Sequence, residues 1–275
     1  MCRHLAYLGP ACSPAEFVFA APHSLLHQSY APADMRGGGT VNADGFGLAW
    51  YGETGEPVRH RRASPLWTDQ DLPALARSVR SGAFVAAVRN GTTGMPAGEA
   101  ACAPFADGRW LFSHNGLVRG WPETLAGLAG RLPVTDLLTL AAPTDSVVLW
   151  ALLAERLRSG EDPEKAVFAL IGEVAAAAPG SRLNFLLTDG TVLIATAWTH
   201  ALSVRETGSG PGAAVLVASE PLDTDPAWRP VPDGHAVVAR REGAGVHTCR
   251  VVPMSDPIPD PIPIPDPIPD DRSET

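Results

Sequence analysis

The sequence predicts an α+β domain in which sheet and helical layers share one core. Three observations predict it. Apolar, strand-like segments recur between residues 3 and 116. Two helical patterns follow between residues 144 and 178, and strand-like segments return between residues 182 and 240. Strands, then helices, then strands, in 275 residues with 45% hydrophobic content, suit a single domain with a sizeable core.

The first strand is "RHLAYL" (Arg3–Leu8), which sets Cys2 at a strand start. "FGLAWY" (Phe46–Tyr51) is the second, led in by "NADG" (Asn42–Gly45), whose Asp-Gly pair is a turn signal. "AFVAAVR" (Ala83–Arg89) is strand-like and breaks at "NG". "RWLFSHNG" (Arg109–Gly116) repeats that design, a short strand running into a polar turn that ends in glycine. Two strands ending in polar turns can aim side chains into one cleft. "VRHRR" (Val58–Arg62) reads as a solvated loop.

In "TDSVVLWALLAERLRSG" (Thr144–Gly160), Val148, Leu149, Leu152, Leu153 and Leu157 fall at helical spacing. Thr144 or Asp145 is its candidate cap and Gly160 its stop. "DPEKAVFALIGEVAAAA" (Asp162–Ala178) has Asp162 at the N-cap and Pro163 at the first helical position. "RLNFLLTD" (Arg182–Asp189) and "VLIATAW" (Val192–Trp198) read as a hairpin turning at "TDG", followed by strands "AAVLVAS" (Ala213–Ser219) and "HAVVAR" (His235–Arg240). The domain therefore spans residues 1–254. From Ser255 the chain repeats Asp-Pro-Ile-Pro. Alternate prolines remove amide donors and fix φ, so an extended tail outside the domain is expected.

A net charge of −9 argues against non-specific binding of nucleic acid or an anionic membrane. No apolar run approaches the roughly 18 residues of a membrane span, and no signal peptide is recognisable. The four cysteines form no CxxC pair and the histidines show no metal-ligand spacing. Neither metal nor other cofactor is expected. The chain reads as cytoplasmic and reduced.

Cys2 is the residue that packing does not require. A chain terminus is usually poorly anchored, and a free thiol there invites oxidation. Once Met1 is removed, however, Cys2 carries both a thiol and a free α-amine. Their reference pKa values, about 8.5 and about 7.7–8.0, let the amine take the thiol proton and activate the sulfur.

Five further pieces line up with Cys2. They are "NADGFGLAWY" (Asn42–Tyr51), "VRNGTTG" (Val88–Gly94), "SHNG" (Ser113–Gly116), "TDS" (Thr144–Ser146) and "ASEPLD" (Ala218–Asp223). In this order, from Cys2 to about Met254, the chain resembles the class II glutamine amidotransferase family. The resemblance implies a four-layer αββα sandwich of the N-terminal-nucleophile hydrolase type. It also implies cleavage of a γ-glutamyl amide through a thioester on Cys2, with the freed amine as base. Asn115 and the Gly116 amide would form the oxyanion hole. Arg89 would pair with the substrate α-carboxylate and Asp145 with its α-ammonium. The backbone around Asn90 and Thr92 would line the pocket. His114 is counted with the substrate pocket in a largely structural role, since the amine fills the role of base.

The residue chemistry agrees. Guanidinium matches carboxylate in two-pronged geometry, and an amide NH2 beside a glycine N–H suits developing negative charge. Departures from the family pattern are Val88 in place of a histidine, Gly91-Thr92 in place of "AT", and Ala103 in place of the histidine of "HPF". No phosphate loop and no second synthetase domain are present in the sequence. The expected reaction is therefore hydrolysis of a small-molecule γ-glutamyl substrate. A stand-alone glutaminase or another γ-glutamyl amidase, with or without supply of ammonia to a partner, is the alternative, and a homo-oligomer or a pathway partner is left open.

Overall fold

The computed structural model describes residues 2–35, 41–92, 94–243 and 245–254. Met1 and the Asp-Pro-Ile-Pro tail, Ser255–Thr275, lie outside the described residues. Along the chain come β1 (Arg3–Cys12), α1 (Leu25–Tyr30), β2 (Phe46–Tyr51), β3 (Pro57–Arg62), α2 (Leu72–Ser78) and β4 (Ser81–Val88). Next are β5 (Phe105–Asp107), β6 (Trp110–Leu117), α3 (Ala126–Ala129), α4 (Val134–Leu138), α5 (Asp145–Arg158) and α6 (Pro163–Ala177). The chain continues through β7 (Arg182–Thr188), β8 (Val192–Ala197), β9 (Ser203–Thr207) and β10 (Ala214–Ala218). It ends with β11 (Arg229–Pro230), β12 (His235–Glu242) and β13 (Gly245–Pro253).

The strands form two antiparallel sheets, ordered β11-β9-β10-β1-β4-β2-β3 and β13-β12-β8-β7-β6-β5. They stack face to face over Ala6, Leu8, Val85, Leu111, Leu186, Leu193, Val217 and Val237. The outer face of the first sheet is covered by α1 and α2, where Leu25 and Leu72 meet Leu5, Phe46 and Phe84. The outer face of the second is covered by α5 and α6, where Leu149, Leu153 and Leu170 meet Phe112, Phe185 and Ile194. The result is a mixed α/β architecture of two antiparallel sheets flanked by helices, the αββα sandwich of the N-terminal-nucleophile hydrolases. Central strands are apolar on both faces because each face meets a core. That is why "AFVAAV" runs apolar without alternating.

Local signals explain the two long helices. The Thr144 hydroxyl accepts from Val147 N–H at 3.2 Å, so Thr144 is the cap of α5 and Asp145 its first residue. The Asp162 carboxylate accepts from the Glu164 and Lys165 amides, and Pro163 opens α6. The turn between β7 and β8 is closed by the Asp189 carboxylate, which accepts from Thr191 and Val192 N–H, with Gly190 at φ 87°.

"VRHRR" is corrected by the structure. It is not a loop but most of β3, the edge strand next to β2. An edge strand pairs on one side only and tolerates a row of charge, so cationic composition is no sign of irregular backbone. β9 and β13, which carry exposed polar residues on sheet margins, give an equally weak apolar signal.

Candidate active site

The site forms at one end of the sandwich, where several chain segments converge on the start of β1. Cys2 immediately precedes this strand and is half-buried. Its Sγ lies 3.8 Å from the Asn90 carbonyl. Arg3, the next residue, is fully enclosed. Its Nε donates to Glu220 Oε1 at 2.7 Å, and its Nη1 donates to the Cys2 carbonyl at 3.0 Å. Glu220 also receives His23 Nε2 at 2.7 Å and Ala33 N–H at 2.8 Å. Burial alone would raise the Glu220 pKa, but these hydrogen bonds and the Arg3 charge hold it below the ordinary range. The strand carrying Cys2 is thus tied to the fold by a buried ion pair one residue away.

Arg89 follows β4, which pairs with β1 so that Arg3 lies opposite Val88. The Asn42–Gly45 turn clamps this corner. Asp44 N–H donates to Arg89 O at 3.0 Å and Arg89 N–H to Gly45 O at 2.7 Å, while Gly91 N–H donates to the Asp44 carboxylate at 2.8 Å. Gly45 has φ 137°, and a Cβ there would lie 2.2 Å from Cys102 Sγ, so only glycine fits. The Arg89 guanidinium rests on the carbonyls of Asp44 and Pro96. Among the described residues no carboxylate pairs with it, which leaves its charge for a ligand.

The second sheet brings "SHNG". β5 pairs with β6 only as far as Phe105 opposite Phe112, so Ser113–Gly116 runs on as an open edge. Ser113 Oγ lies 3.1 Å from His4 Nδ1. Asn115 is completely buried, and its Nδ2 donates to Ser219 Oγ at 3.1 Å. Ser219 Oγ also accepts from His4 N–H at 3.0 Å. One hydroxyl therefore joins the nucleophile strand to Asn115. That link uses one of the two amide hydrogens of Asn115, and among the described residues no acceptor takes the other. A Cβ on Gly116 would stand 1.9 Å from the Arg182 carbonyl, so the backbone approach there also demands glycine.

His114 points the other way, toward α5. Its Nδ1 lies 2.9 Å from Ser146 Oγ and its Nε2 2.9 Å from Arg182 O. Burial holds its pKa below the ordinary value, against the pull of the Asp145 charge. A neutral ring donates from Nε2 to the Arg182 carbonyl, and the Ser146 hydroxyl, with one hydrogen to give, lies between His114 Nδ1 and the Asp145 carboxylate, 3.2 Å from Oδ1. Asp145 is buried behind this pair. It accepts Val118 N–H at 3.0 Å and Ser146 N–H at 2.7 Å. A carboxylate offers about four lone-pair sites, so capacity for an ammonium remains.

Cys2, Arg89, His114 and Ser146 line one cleft with Phe46, Val88, Ala103 and Phe105. Asn115 and Gly116 follow His114 along the same strand. Thr92 is exposed on the adjoining turn, its carbonyl accepting Met95 N–H at 2.9 Å. Burial disfavours the thiolate form of the other cysteines. Burial raises the thiol pKa of Cys102, pushes Cys12 up to about 11, and pushes Cys249 up to about 12. Among the described residues no group of three or more His, Cys, Asp or Glu could hold a metal ion, and no helix is long and apolar enough to cross a membrane.

Arg3, Ser146 and Ser219 were not singled out as site residues by sequence reasoning. Each lies inside or beside a motif that was, and only the pairing across sheets shows what each holds.

Residues 19–208 match the family model for glutamine amidotransferases class-II. The chain is 42% identical over 240 residues to the gamma-glutamyl-hercynylcysteine sulfoxide hydrolase of Mycolicibacterium smegmatis, covering 87% of this chain and 96% of that protein. It is 38% identical to the protein of the same name from Mycobacterium tuberculosis, covering 88% of this chain and 94% of that one. The solved structure of a glutamine aminotransferase class-II domain protein from Silicibacter pomeroyi superposes with a TM-score of 0.62 at 26% identity. That match covers 93% of this chain and all of the other.

Proposed function

Because the chain belongs to the class II glutamine amidotransferases, it is an amidohydrolase, and we propose that it cleaves the γ-glutamyl amide of γ-glutamyl-hercynylcysteine sulfoxide in ergothioneine biosynthesis. What supports this reading is a cleft lined by Cys2, Arg89, His114 and Ser146, in which Arg89 has no carboxylate partner among the described residues and the buried Asp145 lies beside Ser146. It agrees with the name borne by relatives at about 40% identity.

In the proposed reaction Met1 is removed and the freed Cys2 amine takes the thiol proton. The thiolate attacks the γ-carbonyl. Asn115 Nδ2 and the Gly116 amide stabilise the oxygen as charge develops on it. The amine then protonates the departing nitrogen, and water releases glutamate from the thioester. Arg89 holds the glutamyl α-carboxylate and Asp145 its α-ammonium, with Asn90 and Thr92 on the bordering turn. These contacts fix the glutamyl end and place the carbonyl for attack. His114, kept neutral, braces the turn against α5.

The test is a substrate panel that follows free glutamate. kcat/KM should be highest for γ-glutamyl-hercynylcysteine sulfoxide and at least about tenfold lower for glutamine, a difference of about 1.4 kcal/mol in transition-state binding. A preference for glutamine would instead support a glutaminase that feeds ammonia to a partner.

A further inference from the structure

Arg182 opens β7 opposite Leu117 of β6. Side chains alternate along a strand. Leu183, Phe185 and Leu187 belong to the core beneath α5 and α6, whereas Leu186 belongs to the core between the sheets. Arg182 shares the parity of Leu186 and points between the sheets. By the same alternation Cys2 shares the parity of Ala6 and Leu8, and Asn115 that of Leu111. Cys2, Asn115 and Arg182 therefore face a common space at one end of the sandwich.

Arg182 is half-buried, and its enclosed Nε has no hydrogen-bond partner among the described residues. Among the described residues no carboxylate pairs with its guanidinium. The nearest charged group on the flanking loop is another cation, Arg119. Arg119 N–H donates to Ser181 Oγ at 3.0 Å, and its Nε donates to Gly180 O at 3.2 Å. Burial lowers the Arg182 pKa, the Arg119 charge acts in the same direction, and Cys2 acts in the opposite one. A buried cationic donor without an acceptor is costly unless a ligand completes it.

The two arginines stand on different flanks of Cys2. β4, which leads to Arg89, packs over β6, whereas Arg182 is on β7, on the side of β6 away from its open edge. In the proposed reading, a substrate whose glutamyl end lies at Arg89 would extend its leaving group toward Arg182. When the leaving group is an α-amino acid, a carboxylate sits one carbon from the scissile nitrogen.

We infer that Arg182, with Arg119 outside it, receives the α-carboxylate of the leaving amino acid, and so selects γ-glutamyl amides of amino acids over simple γ-glutamyl amides. A guanidinium is suited to this by its planar, two-pronged donors. The inference rests on the γ-glutamyl reading of the site. It adds the recognition of the half that departs.

The test compares two substrates that differ in one group, the γ-glutamyl amide of an S-alkyl cysteine sulfoxide and that of the matching S-alkyl cysteamine sulfoxide. Glutamate release gives kcat/KM for each. Wild type should prefer the carboxylate-bearing substrate by about 30-fold or more, the low end for loss of a charged hydrogen bond. Arg182→Gln should bring that ratio close to one, and Arg182→Lys should give an intermediate ratio with the fold retained. A ratio near one in wild type, or a full ratio surviving in Arg182→Gln, overturns the inference. If wild type cleaves these substrates with the expected ratio but spares γ-glutamyl-hercynylcysteine sulfoxide, the named substrate is wrong and the role of Arg182 stands.

Discussion

Asn115 shows how much of the proposed chemistry depends on single groups. Its amide is buried, carried on an open strand edge, and oriented by one hydroxyl that also binds the nucleophile strand. Its remaining hydrogen interacts most strongly with charge that develops during attack. Asn115→Ala should therefore lower kcat by about 10²–10³ with little change in KM. A change confined to KM would remove the oxyanion role. Ser219→Ala tests the orientation. It should lower kcat about tenfold by letting Asn115 turn from its pose, again with KM nearly constant, because small misplacements at a reacting centre cost rate. Cys2, Arg89, Asn115 and Asp145 could be picked out of the sequence as candidates because each sits in a short motif of the family pattern. Ser219 was visible only as part of "ASEPLD", since a serine hydroxyl says nothing about which strand it will bridge.

At the scale of elements, β1 matters most, because Cys2 precedes a central strand and the adjacent pair Arg3–Glu220 anchors it. Both side chains are nearly inaccessible, at 1% and 4% exposure. Removing one partner of such a pair leaves an uncompensated buried charge and typically costs about 3–5 kcal/mol. Glu220→Gln should lower the melting temperature markedly and slow turnover together, read by calorimetry and by glutamate release. An unchanged melting temperature would show that the pair does not hold the strand. The central strands and the two long helices could be read from the sequence because their residues satisfy one local rule each, doubly buried apolar runs or capped helical spacing. β3, β9 and β13 could not. They lie at or near sheet margins, where pairing is decided by a neighbour distant in sequence and solvent admits charge.

For the whole molecule, burial places two histidines where protonation opposes folding. His4 is pushed well below the ordinary value of 6.5, first by burial and then by the nearby His114, His200 and Arg3 charges. His114 is lowered chiefly by burial. The unfolded chain therefore binds these protons first as pH falls. Stability from the neutral rings is fully present above pH 6.5 and is lost as pH drops toward the depressed folded values. Glu220, also held low, adds a second loss below its unfolded value of 4.5. Melting temperature should be flat just above pH 6.5 and decline steadily below it, and a rise on acidification would contradict the buried-neutral assignment. The central claim is that Cys2, freed of Met1, carries the glutamyl group. Peptide mass mapping of a rapidly quenched reaction tests it most directly. The account predicts one added glutamyl group on an N-terminal peptide that begins at Cys2, absent in Cys2→Ala. A glutamyl group found on Cys102, or glutamate release by Cys2→Ala, would contradict it.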